Sequence, residues 1–152
     1  GDLICGDQES EDLIDDYIER EGIKLNLHGK QSRCFYTPSQ DYIEIVPKDD
    51  FRGIGEYYHT IFHEMAHSTG HEDRLDRLES AGFGSDPYAR EELVAEITAS
   101  FLSNRVGLLN TSLFANSQAY CNSWASQLKK DKKLIFKASQ EAQKAFDFII
   151  GD

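Results

Sequence analysis

Two histidines four residues apart enclose a glutamate in the run His63-Glu64-Met65-Ala66-His67. On a helix, residues at that spacing lie about 40° apart around the axis and one turn along it, so both imidazoles reach one cation at the ~2.0–2.1 Å that zinc prefers. Glu64 projects beside them. There it is placed to take a proton from activated water and return it to a leaving amine. This HExxH spacing points to metal-assisted hydrolysis when a helix carries it.

His59 and His71 extend the four-residue ladder. Residues eight apart are separated by about 12 Å along a helix, so only neighbouring pairs can share an ion. His71 falls beyond Gly70 and His59 lacks a following glutamate in the right place, so both are expected at the surface or behind the ligands. Only the pair His63 and His67 encloses a base.

A catalytic zinc takes a third protein ligand and keeps a position open for water. Glu92, in Glu91-Glu92-Leu93-Val94-Ala95-Glu96, is the leading candidate. Glu92 and Glu96 share a helix face, and Ala95 and Ala99 allow close packing against the helix that carries the histidines. Glu96, one turn on, would accept the free ring N–H of a ligand histidine and fix its tautomer. Glu91 reads as part of an ordinary charged face. Asp73 is the alternative ligand, because His63 to Asp73 spells HExxHxxGxxD. That layout requires a methionine turn downstream of the metal, and the single methionine is Met65 inside the motif, which favours Glu92. Donors for an oxyanion are available in Tyr57, Tyr58, Tyr88 and His71, and spacing does not choose among them.

The elements that must position these residues follow from periodicity. Ser10 before Leu13, Ile14, Tyr17 and Ile18, with Gly22 as a stop, predicts a first helix capped by Ser10. Residues 23–28, 33–37 and 41–46 read as short strands, the last two a hairpin across Pro38 and Ser39, with Ile43 and Ile45 buried and Tyr42 and Glu44 wet. From about Ile54 the pattern is helical, with Ile61, Phe62, Met65 and Ala66 on one face and Gly70 as a left-handed cap. Asp86 as N-cap and Pro87 as first residue open a helix to about Val106, before Gly107. Two more helices follow at roughly 116–130 and 132–150, the last with a seam of Ile135, Ala138, Ala142, Ala145 and Ile149 closed by Gly151. The expected class is α+β: a small, mostly antiparallel sheet of about three strands packed on the active-site helix, followed by three further helices.

With 152 residues, 39% hydrophobic and 28% charged, residues 1–152 fit one domain with one core. No apolar run approaches a membrane span, and the start lacks the order of a signal peptide. Cys5, Cys34 and Cys121 form no CxxC pair, which suits reduced thiols in the cytoplasm. The glycine start and abruptly acidic opening fit a segment cut from a longer protein. A net charge of −11 disfavours direct nucleic-acid binding by this domain. Lys129, Lys130, Lys132, Lys133 and Lys137 read as a solvated helix junction.

Three blocks in order, YYHTIFHEMAHSTGHEDRLDR (57–77), YAREELVAEITASFL (88–102) and AYCNSWASQLKKD (119–131), resemble the metallopeptidase domain of ArdC-like antirestriction proteins. The resemblance spans most of the chain. It implies a zincin-like fold, a cytoplasmic protein of plasmids, phages or other mobile elements, and a metal held by two histidines and an acidic residue. The separate N-terminal domain that binds single-stranded DNA in that family has no counterpart in this sequence. Glu92-x-x-Ala95-x-x-x-Ala99 is also similar to the glutamate helix of ImmA/IrrE-type peptidases, which places the ligand role on Glu92. The expected function is a zinc-dependent metallopeptidase acting on a peptide or protein substrate, with a restriction-system protein as a partner. The alternative is a non-catalytic acidic module that mimics DNA and uses zinc only as a staple.

Overall fold

The computed structural model describes residues 7–79 and 85–151. Helix α1 runs Gln8–Glu21 and ends at Gly22, whose φ of 69° is left-handed. Its N-cap is Asp7 rather than Ser10. The Asp7 carboxylate accepts from the Ser10 backbone N–H at 2.9 Å and from the Ser10 hydroxyl at 2.6 Å, which starts the helix one turn earlier. The predictions that concern Cys5 and the chain start lie outside the described residues.

Three short strands follow, β1 (Lys24–Asn26), β2 (Phe35–Thr37) and β3 (Tyr42–Glu44). The predicted hairpin is present: β2 pairs antiparallel with β3, Tyr36 facing Ile43, around a turn in which Asp41 takes φ 50°. β1 pairs with β3 in parallel, so the sheet is mixed, in the order β1-β3-β2, with β2 at an edge. Ile43 and Ile45 are buried as alternation requires. Glu44 is buried too, against the expectation of a wet face. The loop after β1 folds over it: Gly29 N–H donates to the Ile45 carbonyl at 2.9 Å, and a Cβ on Gly29 would stand 2.5 Å from Glu44 Cγ. The Tyr42 hydroxyl donates to the enclosed carboxylate at 2.6 Å.

Helix α2 (Ile54–Ser68) buries the predicted face of Ile61, Phe62, Met65 and Ala66, the first three in one cluster with residues of the sheet and α1. It ends at Thr69 in right-handed geometry, so Gly70 is not a left-handed cap. Glycine is needed there for another reason. The returning segment crosses so closely that a Cβ on Gly70 would lie 2.8 Å from Leu78 Cγ.

Helix α3 (Asp86–Arg105) carries Pro87 in its first turn and is capped by Ser85, one residue before the predicted Asp86; Tyr88 N–H donates to the Ser85 hydroxyl. Helix α4 (Thr111–Gln127) starts earlier than its periodicity suggested because Asn110 caps it, accepting from Leu113 N–H at 2.8 Å. Helix α5 (Lys132–Ile150) buries Ala138, Ala142, Ala145 and Ile149 and ends at Gly151, φ 88°. The core joins Tyr17, Tyr58, Phe62, Met65, Leu102 and Ile149. Ala66, Ala95 and Ala99 are fully buried, so small side chains let α2 and α3 approach. Among the described residues, no helix is long and apolar enough to cross a membrane.

Candidate metal centre

The close approach of α2 and α3 brings His63, His67 and Glu92 together. One donor atom from each lies within 4.8 Å of the other two. His63 Nε2 stands 3.4 Å from Glu92 Oε1, and His67 Nε2 stands 2.9 Å from Glu92 Oε2. Ligands of a tetrahedral ion at ~2.0–2.1 Å sit about 3.4 Å apart, so the donor set suits a divalent cation with small adjustments.

Each imidazole is held from behind by a different glutamate of α3. His63 Nδ1–H donates to Glu96 Oε1 at 3.0 Å, and His67 Nδ1–H donates to Glu91 Oε2 at 2.9 Å. Those bonds select the tautomer that leaves both Nε2 atoms facing Glu92. The two carboxylates are themselves secured. Glu96 also engages His59 Nε2 at 2.6 Å and accepts from the Ser117 hydroxyl, while His59 Nδ1 meets the Ser103 hydroxyl at 2.8 Å. Glu91 receives a two-pronged bond from Arg77, at 2.7 and 3.0 Å. Arg77 further donates to the Ala66 carbonyl at 2.9 Å and to Thr69 Oγ1 at 3.0 Å, so it ties Glu91 to the end of α2.

The electrostatics agree with a site built to attract positive charge. Burial works against protonation of His63, yet its bonds to Glu92 and Glu96 outweigh that and push its pKa up to about 9. His67 moves the same way, burial being overcome by Glu91 and Glu92. Burial would raise the carboxylates, but the histidines hold Glu92 far below the usual carboxylate range and Glu96 at about 2. Glu91 is lowered by His67 and Arg77.

Glu64 lies beside the pair and lines the same cleft of about 400 Å³. Glu64 is buried, and among the described residues its carboxylate accepts no hydrogen bond. The same cleft is lined by Phe35 and Tyr36 of strand β2, by the flanking Cys34 and Pro38, and by Tyr88 and Tyr120.

A family model for zincin-like metallopeptidases matches residues 12–141. The chain belongs to this family. Among curated relatives, two DNA primases TraC of Escherichia coli are 41% and 36% identical over 123 residues each, 81% of this chain but 11% and 8% of theirs. The protein y4eC of Sinorhizobium fredii is 32% identical over 128 residues, 84% of this chain and 41% of that protein. Among solved structures, the Mn(II)-bound crystal structure of the antirestriction protein ArdC from plasmid R388 superposes with a TM-score of 0.72 at 40% identity, covering 91% of this chain. Its metal-free form gives 0.68. This zincin-like chain thus spans about half the length of ArdC and about a tenth of TraC.

The remaining sequence candidates of this zincin-like domain are scattered. Asp73 has an 83% exposed side chain on the turn after α2, 3.8 Å from His71, and is not among the three clustered donors. His71 accepts from the Asp73 backbone N–H at 3.0 Å. Tyr57 and Tyr58 are core residues; the Tyr58 hydroxyl donates to Glu11 and accepts from Asp7 N–H at 3.1 Å. Of the four proposed oxyanion donors, Tyr88 lines the cleft. Sequence reasoning missed Tyr120, whose hydroxyl donates to Glu92 Oε1 at 2.8 Å and whose ring meets His63 edge-on at 5.8 Å. It also missed the roles of Glu91 and Arg77. The three glutamates at 91, 92 and 96, opposite histidines at 63 and 67, were the available signal.

Proposed function

We propose that this chain is a zinc-dependent metallopeptidase domain. The observation that carries the reading is the convergence of His63, His67 and Glu92 donor atoms within 4.8 Å, beside an unpaired Glu64 in one cleft. His63 Nε2, His67 Nε2 and Glu92 would hold the ion. When bound, zinc supplies a Lewis acid that polarises a carbonyl and makes water a nucleophile near neutral pH.

The residues of the chain do the rest. Glu64 accepts a proton from the attacking water, the C–N bond of the scissile amide breaks, and Glu64 returns the proton to the departing amine nitrogen. Glu96 and Glu91 keep the two imidazoles oriented with Nδ1 protonated. Among the described residues the outer edge of β2 pairs with no strand, and an extended peptide laid along it would border the cleft that Glu64 lines. Tyr88 and Tyr120 are the phenols in reach of a developing oxyanion.

Two imidazoles and one carboxylate suit zinc, a cation of borderline softness, and the related ArdC structure is Mn(II)-bound. The similarity to ArdC supports an antirestriction or mobile-element setting in the cytoplasm, with a restriction-system protein as substrate or partner. The net charge of −11 supports a second reading, an acidic module that binds such a protein as DNA would, with the metal as a staple. The variant Glu64→Gln separates the two. Under the peptidase reading it keeps one bound metal per chain and loses hydrolysis of a casein or peptide-library substrate by at least about a hundredfold. Unchanged hydrolysis would refute that role for Glu64, and antirestriction function persisting in Glu64→Gln but vanishing at high salt would favour the acidic module.

A further inference from the structure

The segment that enters β2 borders two spaces next to Glu64. Arg33 and Cys34 line both the space over His63, His67 and Glu92 and a second space of about 360 Å³ on the His59 and Glu96 side. Among the described residues lining either space, Arg33 is the one lysine or arginine. Its guanidinium rests over the Phe35 ring, 4.9 Å from the centroid, which holds the charge at the lip of the cleft while leaving it exposed.

Arg33 is set apart by its place at the cleft, since among the described residues Arg105, which does not line it, likewise has no carboxylate partner. Arg20, Arg52, Arg74, Arg77 and Arg90 each find a carboxylate at 2.7–3.3 Å. Among the described residues Arg33 has no carboxylate within ion-pair distance. A ligand carboxylate entering the cleft would supply the missing partner, with the two parallel N–H···O bonds that arginine makes best.

We propose that Arg33 forms an acid-binding subsite that selects peptides with Asp or Glu beside the scissile bond. The inference rests on the peptidase reading above. A nucleic-acid phosphate is the poorer occupant, since backbone binding needs several clustered cations and the cleft offers one. A peptide on the β2 edge, by contrast, would present alternate side chains towards Arg33, two residues before that strand.

The test is cleavage profiling of a proteome-derived peptide library by the zinc-loaded wild type, Arg33→Ala and Arg33→Glu. Wild type should enrich Asp and Glu roughly five- to tenfold at one position within two residues of the cut, as a part-exposed charge-assisted pair allows. Arg33→Ala should erase that enrichment, and Arg33→Glu should turn it towards Lys and Arg. Equilibrium binding of an Asp-containing peptide and its Asn counterpart to Glu64→Gln protein gives a readout independent of turnover, the Asp form binding more tightly only when Arg33 is present. Cleavage without acidic enrichment, or enrichment that survives in Arg33→Ala, overturns the subsite and leaves the peptidase reading standing. No cleavage of any peptide by zinc-loaded wild type overturns both.

Discussion

Replacing Arg77 by methionine should weaken metal binding although Arg77 touches no metal donor. Arg77 has a side chain only 6% exposed, and it makes two bonds to Glu91 and one each to the Ala66 carbonyl and Thr69. Glu91 in turn fixes His67 through Nδ1. Removing the guanidinium leaves a buried carboxylate with one partner, a change that typically costs about 3–5 kcal/mol. For a domain near 150 residues that corresponds to a melting shift of about 6–20 °C. The effect on metal passes through the orientation and basicity of His67, and loss of such outer support lowers affinity about 10- to 100-fold. Competition titration against a chromophoric chelator measures the affinity, and a double-mutant cycle assigns the route. If Arg77 acts through Glu91, Arg77→Met and Glu91→Gln together should cost little more affinity than Glu91→Gln alone, whereas Arg77→Met with Glu96→Gln should be additive. Arg77→Lys should recover part of the loss. Affinity unchanged in Arg77→Met, or full additivity with Glu91→Gln, would refute the relay.

Two further outcomes follow from the frame around the site. Gly70→Ala should destabilise the fold by about 1–3 kcal/mol through overpacking against Leu78, and Gly22→Ala by about 1 kcal/mol from its left-handed backbone alone, since no atom lies within 4 Å of its new Cβ; thermal denaturation should rank Gly70→Ala as the worse, and the reverse order would contradict the packing. Asp41 is held below its ordinary pKa chiefly by the Arg74 guanidinium, at 2.7 and 2.9 Å. A carboxyl with a depressed folded pKa contributes stability above its unfolded value near 4, and that contribution fades as pH falls through the folded pKa. Asp41→Asn should therefore lose stability at pH 7 and show a flatter decline below pH 4 in denaturant titrations, and an unchanged acid limb would count against the pairing.

The parts of the molecule legible in the sequence are those with local causes. Gly22, Pro87 and the alanine seam of α5 act where they stand, through a left-handed cap, a first-turn φ and a helical stripe. The β2–β3 hairpin could be read because its partners are neighbours, whereas the parallel pairing of β1 with β3 joins strands sixteen or more residues apart and leaves no periodic trace. Glu44 looked wet by alternation because the burial comes from Gly29, a residue of another segment. The start of α4 was obscured because Leu113 and Ser117 are its only buried residues, too few to print a stripe. At the site, the i,i+4 step links His63 to His67 and Glu92 to Glu96 within single helices, so spacing alone grouped them. Glu91 could not be found that way. A neighbour of Glu92 points about 100° away on a helix, and it reaches His67 only because Arg77, from the segment crossing Gly70, neutralises it there.

We propose that two imidazoles of α2 and one carboxylate of α3 make a single metal site. Its most direct test is a zinc titration of wild type, Glu92→Ala and Asp73→Ala, read by competition with a chelator. The geometry predicts one tight zinc per chain in wild type and in Asp73→Ala, and a loss of at least about a hundredfold in Glu92→Ala. Tight binding that survives in Glu92→Ala but disappears in Asp73→Ala, or no stoichiometric zinc in wild type, would contradict it.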